Sequence, residues 1–118
     1  MLLENYKFGD LARYGLGYED LKAVNPDLVY CSVTGFGQTG PSRQLAGYDF
    51  MIQAMGGLMS VTGGPDGEPG GGPQKVGVPI VDLMTGMYAS VSVLAALHRR
   101  NETGEGDFID LAMLDVQT

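Results

Sequence analysis

One stretch constrains this chain more than any other. Residues 76–97 read Val-Gly-Val-Pro-Ile-Val-Asp-Leu-Met-Thr-Gly-Met-Tyr-Ala-Ser-Val-Ser-Val-Leu-Ala-Ala-Leu, and His98-Arg99-Arg100 follows. Apolar residues after Asp82 (Leu83, Met84, Met87, Tyr88, Val91, Leu94, Ala95, Leu97) cover most of a helical circumference, which predicts a long buried helix. Pro79 and Asp82 fall where that helix begins. An acidic side chain there can accept the orphan N–H groups of the first turn, so one role open to Asp82 is an N-cap. The other is a functional carboxylate, held at a helix N-terminus among apolar neighbours. As a membrane span the stretch is short: Pro79 and Asp82 leave about 15 uncharged residues before His98, where roughly 20 are needed. A core helix is expected, with no membrane partner.

The chain ahead of this helix alternates between helical and extended patterns. Tyr18–Val24 predicts a short helix, stopped by Asn25-Pro26. Leu28–Val33 has the β-branched and aromatic content of a buried strand. Helix, Asn-Pro and strand in that order form the repeating unit of an α/β fold. Met1–Leu3 resembles the end of a strand, Asp10–Tyr14 a helical turn closed by Gly15, and Tyr48–Met55 a helix broken by Gly56-Gly57. Gly63–Gln74 has neither period nor bulk and predicts a surface loop. Asp107–Met113 predicts a strand, and Leu114–Thr118 the first turn of a helix. Regular elements at both ends lead us to expect that 1–118 is part of a larger domain, incomplete at each end.

Charge and cysteine content narrow the partners. A formal net charge of −7, with no basic cluster beyond His98-Arg99-Arg100, argues against nucleic acid. The single cysteine, Cys31, lies in an apolar run, so no disulfide framework exists and a reducing, cytoplasmic setting is expected. Met1-Leu-Leu runs directly into Glu4, unlike a secretory signal. Gly35, Gly37 and Gly40 nearly satisfy G-x-G-x-x-G, but Pro41-Ser42 opens no clear helix, so an ordinary turn is expected rather than a nucleotide cradle. Its place after a strand is nonetheless where α/β folds put ligands. His98 has a structural account as a cation complementing the helix dipole. Asp115 reads as an N-cap or strand-end residue, and no metal is expected.

Taken in order, Glu4-Asn5-Tyr6, Asn25-Pro26 through Ser32, Gly35-Phe36-Gly37-Gln38-Thr39-Gly40-Pro41, Gly47-Tyr48-Asp49, Gln53-Ala54, Gly57-Leu58-Met59, Asp82-Leu83-Met84-Thr85-Gly86 and the run from Arg99 to Gly106 resemble the class III coenzyme A transferases. That group includes formyl-CoA:oxalate and carnitine CoA-transferases, with alpha-methylacyl-CoA racemase as a relative. The resemblance covers all 118 residues, and it implies an internal fragment of a Rossmann-like large domain. It implies transfer of CoA between an acyl-CoA and a carboxylic acid, with coenzyme A as substrate and no tightly bound cofactor. Asp82 falls on the catalytic aspartate of the group, which attacks the thioester to form a mixed anhydride and then an aspartyl-CoA thioester. Tyr48 stands where the racemases carry histidine, and a phenol with a pKa near 10 is a poor base for an α-proton. The resemblance therefore implies transferase, with Tyr48 near the acyl group, though a buried tyrosine at a helix start would have the same sequence. Asn5, Tyr6 and Arg13 fall on positions that touch coenzyme A, and Lys7 is either a phosphate ligand or a solvated lysine. Family members form interlocked dimers, which implies a homodimer. A racemase-like epimerase and a non-catalytic CoA-binding fragment remain the alternatives.

Overall fold

Three parallel strands hold the molecule together in the computed structural model, which describes residues 1–118. β1 (Leu2–Glu4), β2 (Val29–Thr34) and β3 (Asp107–Ala112) lie side by side in that order. Leu3 pairs with Cys31, and Cys31 in turn with Ile109. β2 is central, and Val29, Tyr30, Cys31 and Ser32 are all buried. That explains its continuous apolar run, since a strand covered on both faces has no solvent side to alternate with. The elements are those of an α/β fold, as the pattern predicted.

The connections follow local chemistry. A 3₁₀ turn (Leu11–Tyr14) ends at Gly15, whose φ of 68° suits glycine. α1 (Tyr18–Val24) stops at Asn25 ahead of Pro26. Tyr18 packs back on Tyr30 and Phe108, with ring centroids 5.9 and 4.8 Å away, tying α1 to the sheet. α2 (Asp49–Met55) ends at Gly56, and Gly57 turns the chain into α3 (Leu58–Thr62) with a φ of 85°. The loop at 63–74 closes on itself through a bridge between Gly64 and Gly72, and Gln74 N–H donates to Met59 O at 3.1 Å. α5 (Met113–Gln117) follows β3 directly. Asp115 sits in its first turn and is not its cap, which is Ala112.

The long helix, α4 (Ile80–Thr103), has the position and length expected, but burial is confined to one stripe. Val81, Thr85, Ala89 and Ala96 face inward, while Leu83, Met87, Tyr88, Val91 and Leu94 are more than half exposed. Ile52, Val81 and Met113 form the small core where α2, α4 and α5 meet, with Phe36, Ile80 and Leu114 packed on it. The 24-residue helix is long and apolar enough to cross a membrane by length and composition alone. Along its buried stripe it packs on β2 and β3. The radius of gyration is 17.2 Å, where about 13–14 Å describes a compact domain of this length. Much apolar surface on α4 is therefore left without a partner inside these residues.

α4 ends at Gly104, with φ 77° and its N–H donating to Arg100 O at 2.8 Å. Two residues on, Gly106 lies so close to Leu28 O that a side chain could not be added. These two contacts account for the spacing Thr103-Gly104-Glu105-Gly106. Gly104 meets no such obstacle, so Gly104→Ala would pay only the left-handed backbone cost. The expected loss is about 1 kcal/mol, read as a lowered midpoint in thermal unfolding.

Candidate active site

A cavity of about 900 Å³ opens at the carboxyl ends of the three strands. Glu4, Asn5 and Tyr6 leave β1 into its wall, Thr34 and Gly35 come from the end of β2, and Met113 from the end of β3. This is the side of a parallel sheet on which α/β folds bind ligands. Asp82 also lines it, from the first turn of α4, together with Tyr48 and Asp49. Asn5, Tyr6, Tyr48 and Asp82, four of the five residues singled out from sequence, thus surround one space.

The fifth does not. Arg13 lies outside the cavity, exposed on the 3₁₀ turn, 3.6 Å from Asp10. The cations that do line it are Lys7 and Arg43. Arg43 stacks on the Phe8 ring with its guanidinium carbon 4.6 Å from the centroid. Sequence reasoning passed over Arg43 because it stands in a loop with no periodicity; its one signal was its place just after the glycine turn.

That turn positions Tyr48. Gly35 and Gly47 touch backbone to backbone, and a Cβ on Gly35 would stand 2.7 Å from Gly47 N. Thr34 Oγ1 accepts from Gly37 N–H at 2.8 Å, and the Asp110 carboxylate accepts from Gln38 N–H at 2.9 Å, which fixes the loop on the sheet. The Gly47-Tyr48-Asp49 segment is thereby held against the end of β2. Tyr48 immediately precedes α2, with 62% of its surface exposed within residues 1–118.

The cap of α4 is not where the sequence suggested. Asp49 supplies it from α2: its Oδ2 accepts from Val81 N–H at 2.8 Å and from Asp82 N–H at 3.0 Å. Its Oδ1 accepts from Gln53 Nε2. Gln53, 1% exposed, also accepts from Val76 N–H at 2.8 Å. The Asp82 carboxyl is consequently free of capping and exposed to the cavity. Partial burial, and then the neighbouring charge of Asp49, push its pKa above that of an ordinary aspartate. A carboxylate with a raised pKa is a better nucleophile when ionised.

The residues after Asp82 have distinct tasks. Thr85 is buried at the cavity wall, and its hydroxyl is engaged within the helix, donating to Val81 O at 2.7 Å. Gly86, one turn after Asp82, has open space where a Cβ would stand. No packing within the chain demands a glycine there, and its lack of a side chain widens the cavity beside Asp82. Arg99 and His98 lie far along the helix, where Arg99 pairs with Asp107 at 2.6 Å and His98 stands 3.5 Å from Glu102.

Comparison with known proteins gives one consistent result. The family model for CoA-transferase family III matches residues 1–118. A succinate–glutarate CoA-transferase of Agrobacterium fabrum is 51% identical over 118 residues, all of this chain and 28% of that protein. An acetyl-CoA:oxalate CoA-transferase of Acetobacter aceti is 42% identical over 115 residues, 98% of this chain and 29% of its own length. The crystal structure of a CAIB/BAIF family protein from Brucella suis superposes with a TM-score of 0.91 at 53% identity, covering 98% of this chain and 30% of that one. The chain therefore spans under a third of the length of these relatives.

Proposed function

Because this chain belongs to CoA-transferase family III, we propose that it is the nucleophile-bearing part of a large domain that moves coenzyme A from an acyl-CoA to a carboxylic acid. The observation that carries this reading is the meeting of Asp82, Tyr48, Asn5 and Tyr6 around one cavity at the ends of the sheet. The Asp82 carboxylate attacks the thioester carbonyl, forming an acyl-aspartyl anhydride and releasing CoA thiolate. The thiolate attacks the aspartyl carbonyl of the anhydride, giving aspartyl-CoA and the free donor acid. The acceptor carboxylate attacks aspartyl-CoA, regenerating an anhydride and thiolate. Attack of that thiolate on the acceptor carbonyl yields the new acyl-CoA and restores Asp82.

Every intermediate in this sequence is sensitive to hydrolysis, so the chemistry needs a site from which water is kept. The exposed apolar side of α4 would then be covered by the rest of the protein or by the second subunit of an interlocked dimer. Asn5 and Tyr6 would contact coenzyme A within the cavity, and Arg13 its phosphates where the cofactor leaves it. Tyr48 would orient a substrate carboxylate. Lys7 and Arg43 supply positive charge suited to the second carboxylate of a short dicarboxylic acid, the kind of acid named for the relatives from Agrobacterium and Acetobacter. A cytoplasmic location accords with the buried, unpaired Cys31.

The test is chemical trapping in the full-length protein. After incubation with succinyl-CoA and hydroxylamine, a hydroxamate is expected on Asp82 by peptide mass spectrometry. Full transfer activity with no modification at Asp82 would overturn the mechanism.

A further inference from the structure

The role of Asp82 as nucleophile leaves unexplained why a second carboxylate is placed against the same helical turn. We propose that Asp49 is the positioning residue for Asp82, holding the nucleophile in its attacking position by capping the helix that carries it. This rests on the proposed function of Asp82.

The geometry is specific. One oxygen of Asp49 accepts two consecutive N–H groups, those of Val81 and of Asp82 itself. The backbone of the nucleophile is thus a direct ligand of the Asp49 carboxylate. The other oxygen is held by the Gln53 amide, whose own carbonyl is occupied by Val76 N–H. Gln53 is buried with both ends of its amide engaged, so it cannot turn without breaking one bond. The clamp joins α2, the segment entering α4 and α4 itself. It also explains two sequence features together: Asp49 and Gln53 are four apart because both must point from one face of α2.

A cap could have been made by the side chain of the helix's own first residues, as in many proteins. That arrangement would have engaged Asp82 and removed it from the reaction. With the cap delegated to Asp49, Asp82 keeps the benefit of an ordered first turn and its oxygens remain available. The charge of Asp49 also acts in the direction that raises the pKa of Asp82. The other ionisable groups around the cavity are Glu4, Tyr6, Lys7, Arg43 and Tyr48. Asp49 alone is bonded to the Asp82 backbone.

The experiment uses the full-length protein, with Asp49→Ala, Asp49→Asn and the double variant Asp49→Asn/Gln53→Glu assayed for CoA transfer between pH 4 and 9. Asp49→Ala is expected to lower kcat by about 30-fold or more while KM for acyl-CoA changes less than about threefold. Asp49→Asn removes the charge, so the acid limb of its kcat/KM profile should move to lower pH. The double variant can rebuild all four hydrogen bonds, with the amide introduced at position 49 donating to the carboxylate introduced at position 53. It should recover most of the kcat lost in Asp49→Asn. A merely structural role would lower the thermal midpoint and the active fraction without moving the pH limb. An unmoved limb in Asp49→Asn, wild-type kcat in Asp49→Ala, or a double variant no better than Asp49→Asn would each overturn the inference. Undiminished transfer by Asp82→Ala marks the separate failure of the underlying function, and this inference would fall with it.

Discussion

Asp82→Asn in the full-length protein is expected to lower CoA transfer by about 10⁴-fold or more with no loss of folding stability. The size of the first effect follows from the role: without a carboxylate oxygen to form the anhydride, no covalent route remains, and removal of an enzyme nucleophile typically costs that much or more. The sign of the second follows from the raised pKa of Asp82. A carboxyl group that binds its proton more tightly in the folded state than in the unfolded chain destabilises the fold when ionised. That penalty is present above the raised pKa and disappears as pH falls through it. Asparagine has no charge to desolvate or to set against Asp49, so at pH 7 the variant should melt at the same temperature as the parent or slightly above. Calorimetric scans at pH 4 and pH 7 check this, since the difference between variant and parent should shrink at the lower pH. An inactive variant with a markedly lower midpoint at pH 7 would instead mean that Asp82 has a structural task that its exposed side chain does not reveal.

The retained stability would separate two roles that the amino-acid sequence could not. Sequence placed an acid at the start of a helix, and both a cap and a nucleophile fit that position. The distinction depended on Asp49, which lies 33 residues earlier in the chain. Capping by a residue on another helix leaves no local pattern to read. Elements set by neighbouring residues were legible to within a residue or two. α1 runs from Tyr18 to Val24 because Asn25-Pro26 ends it, and α2 stops at Gly56. Features that depend on distant contacts were not. α3 is only five residues long and is held partly from outside by Gln74, and no helix was predicted there. The exposure of Met87, Val91 and Leu94 was equally hidden, since an apolar side chain carries no mark of which surface will cover it. In the site, the motifs singled out Asp82, Tyr48, Asn5 and Tyr6, which the fold brings to one cavity, and Arg13, which the fold leaves outside it, while Arg43 carried no motif.

The same substitution, glycine to alanine, should have opposite effects on stability at two positions of the site. At Gly47 a Cβ would fall onto the backbone of Gly35, and at Gly35 onto the backbone of Gly47. Neither obstacle is a side chain that could swing away. The turn after β2 would have to separate from the segment leading into α2, carrying Tyr48 and Asp49 with it. Overpacking ordinarily costs about 1–3 kcal/mol, and a backbone obstacle belongs at the upper end or beyond it. Gly47→Ala is therefore expected to cost about 3 kcal/mol or more and to abolish transfer, because the cap on α4 moves with Asp49. Gly86 stands within α4 with open space around its missing side chain. Alanine there improves helix propensity with nothing to strike, which should add roughly 0.5–1 kcal/mol. Its methyl group would enter the cavity one turn from Asp82, so transfer should fall even as the thermal midpoint rises. Chemical denaturation and transfer assays on the two variants decide the matter. A tolerated Gly47→Ala would show that the Gly35–Gly47 contact does not hold the site, while a destabilised Gly86→Ala would show that the face beside Asp82 is already filled by protein rather than left open for substrate.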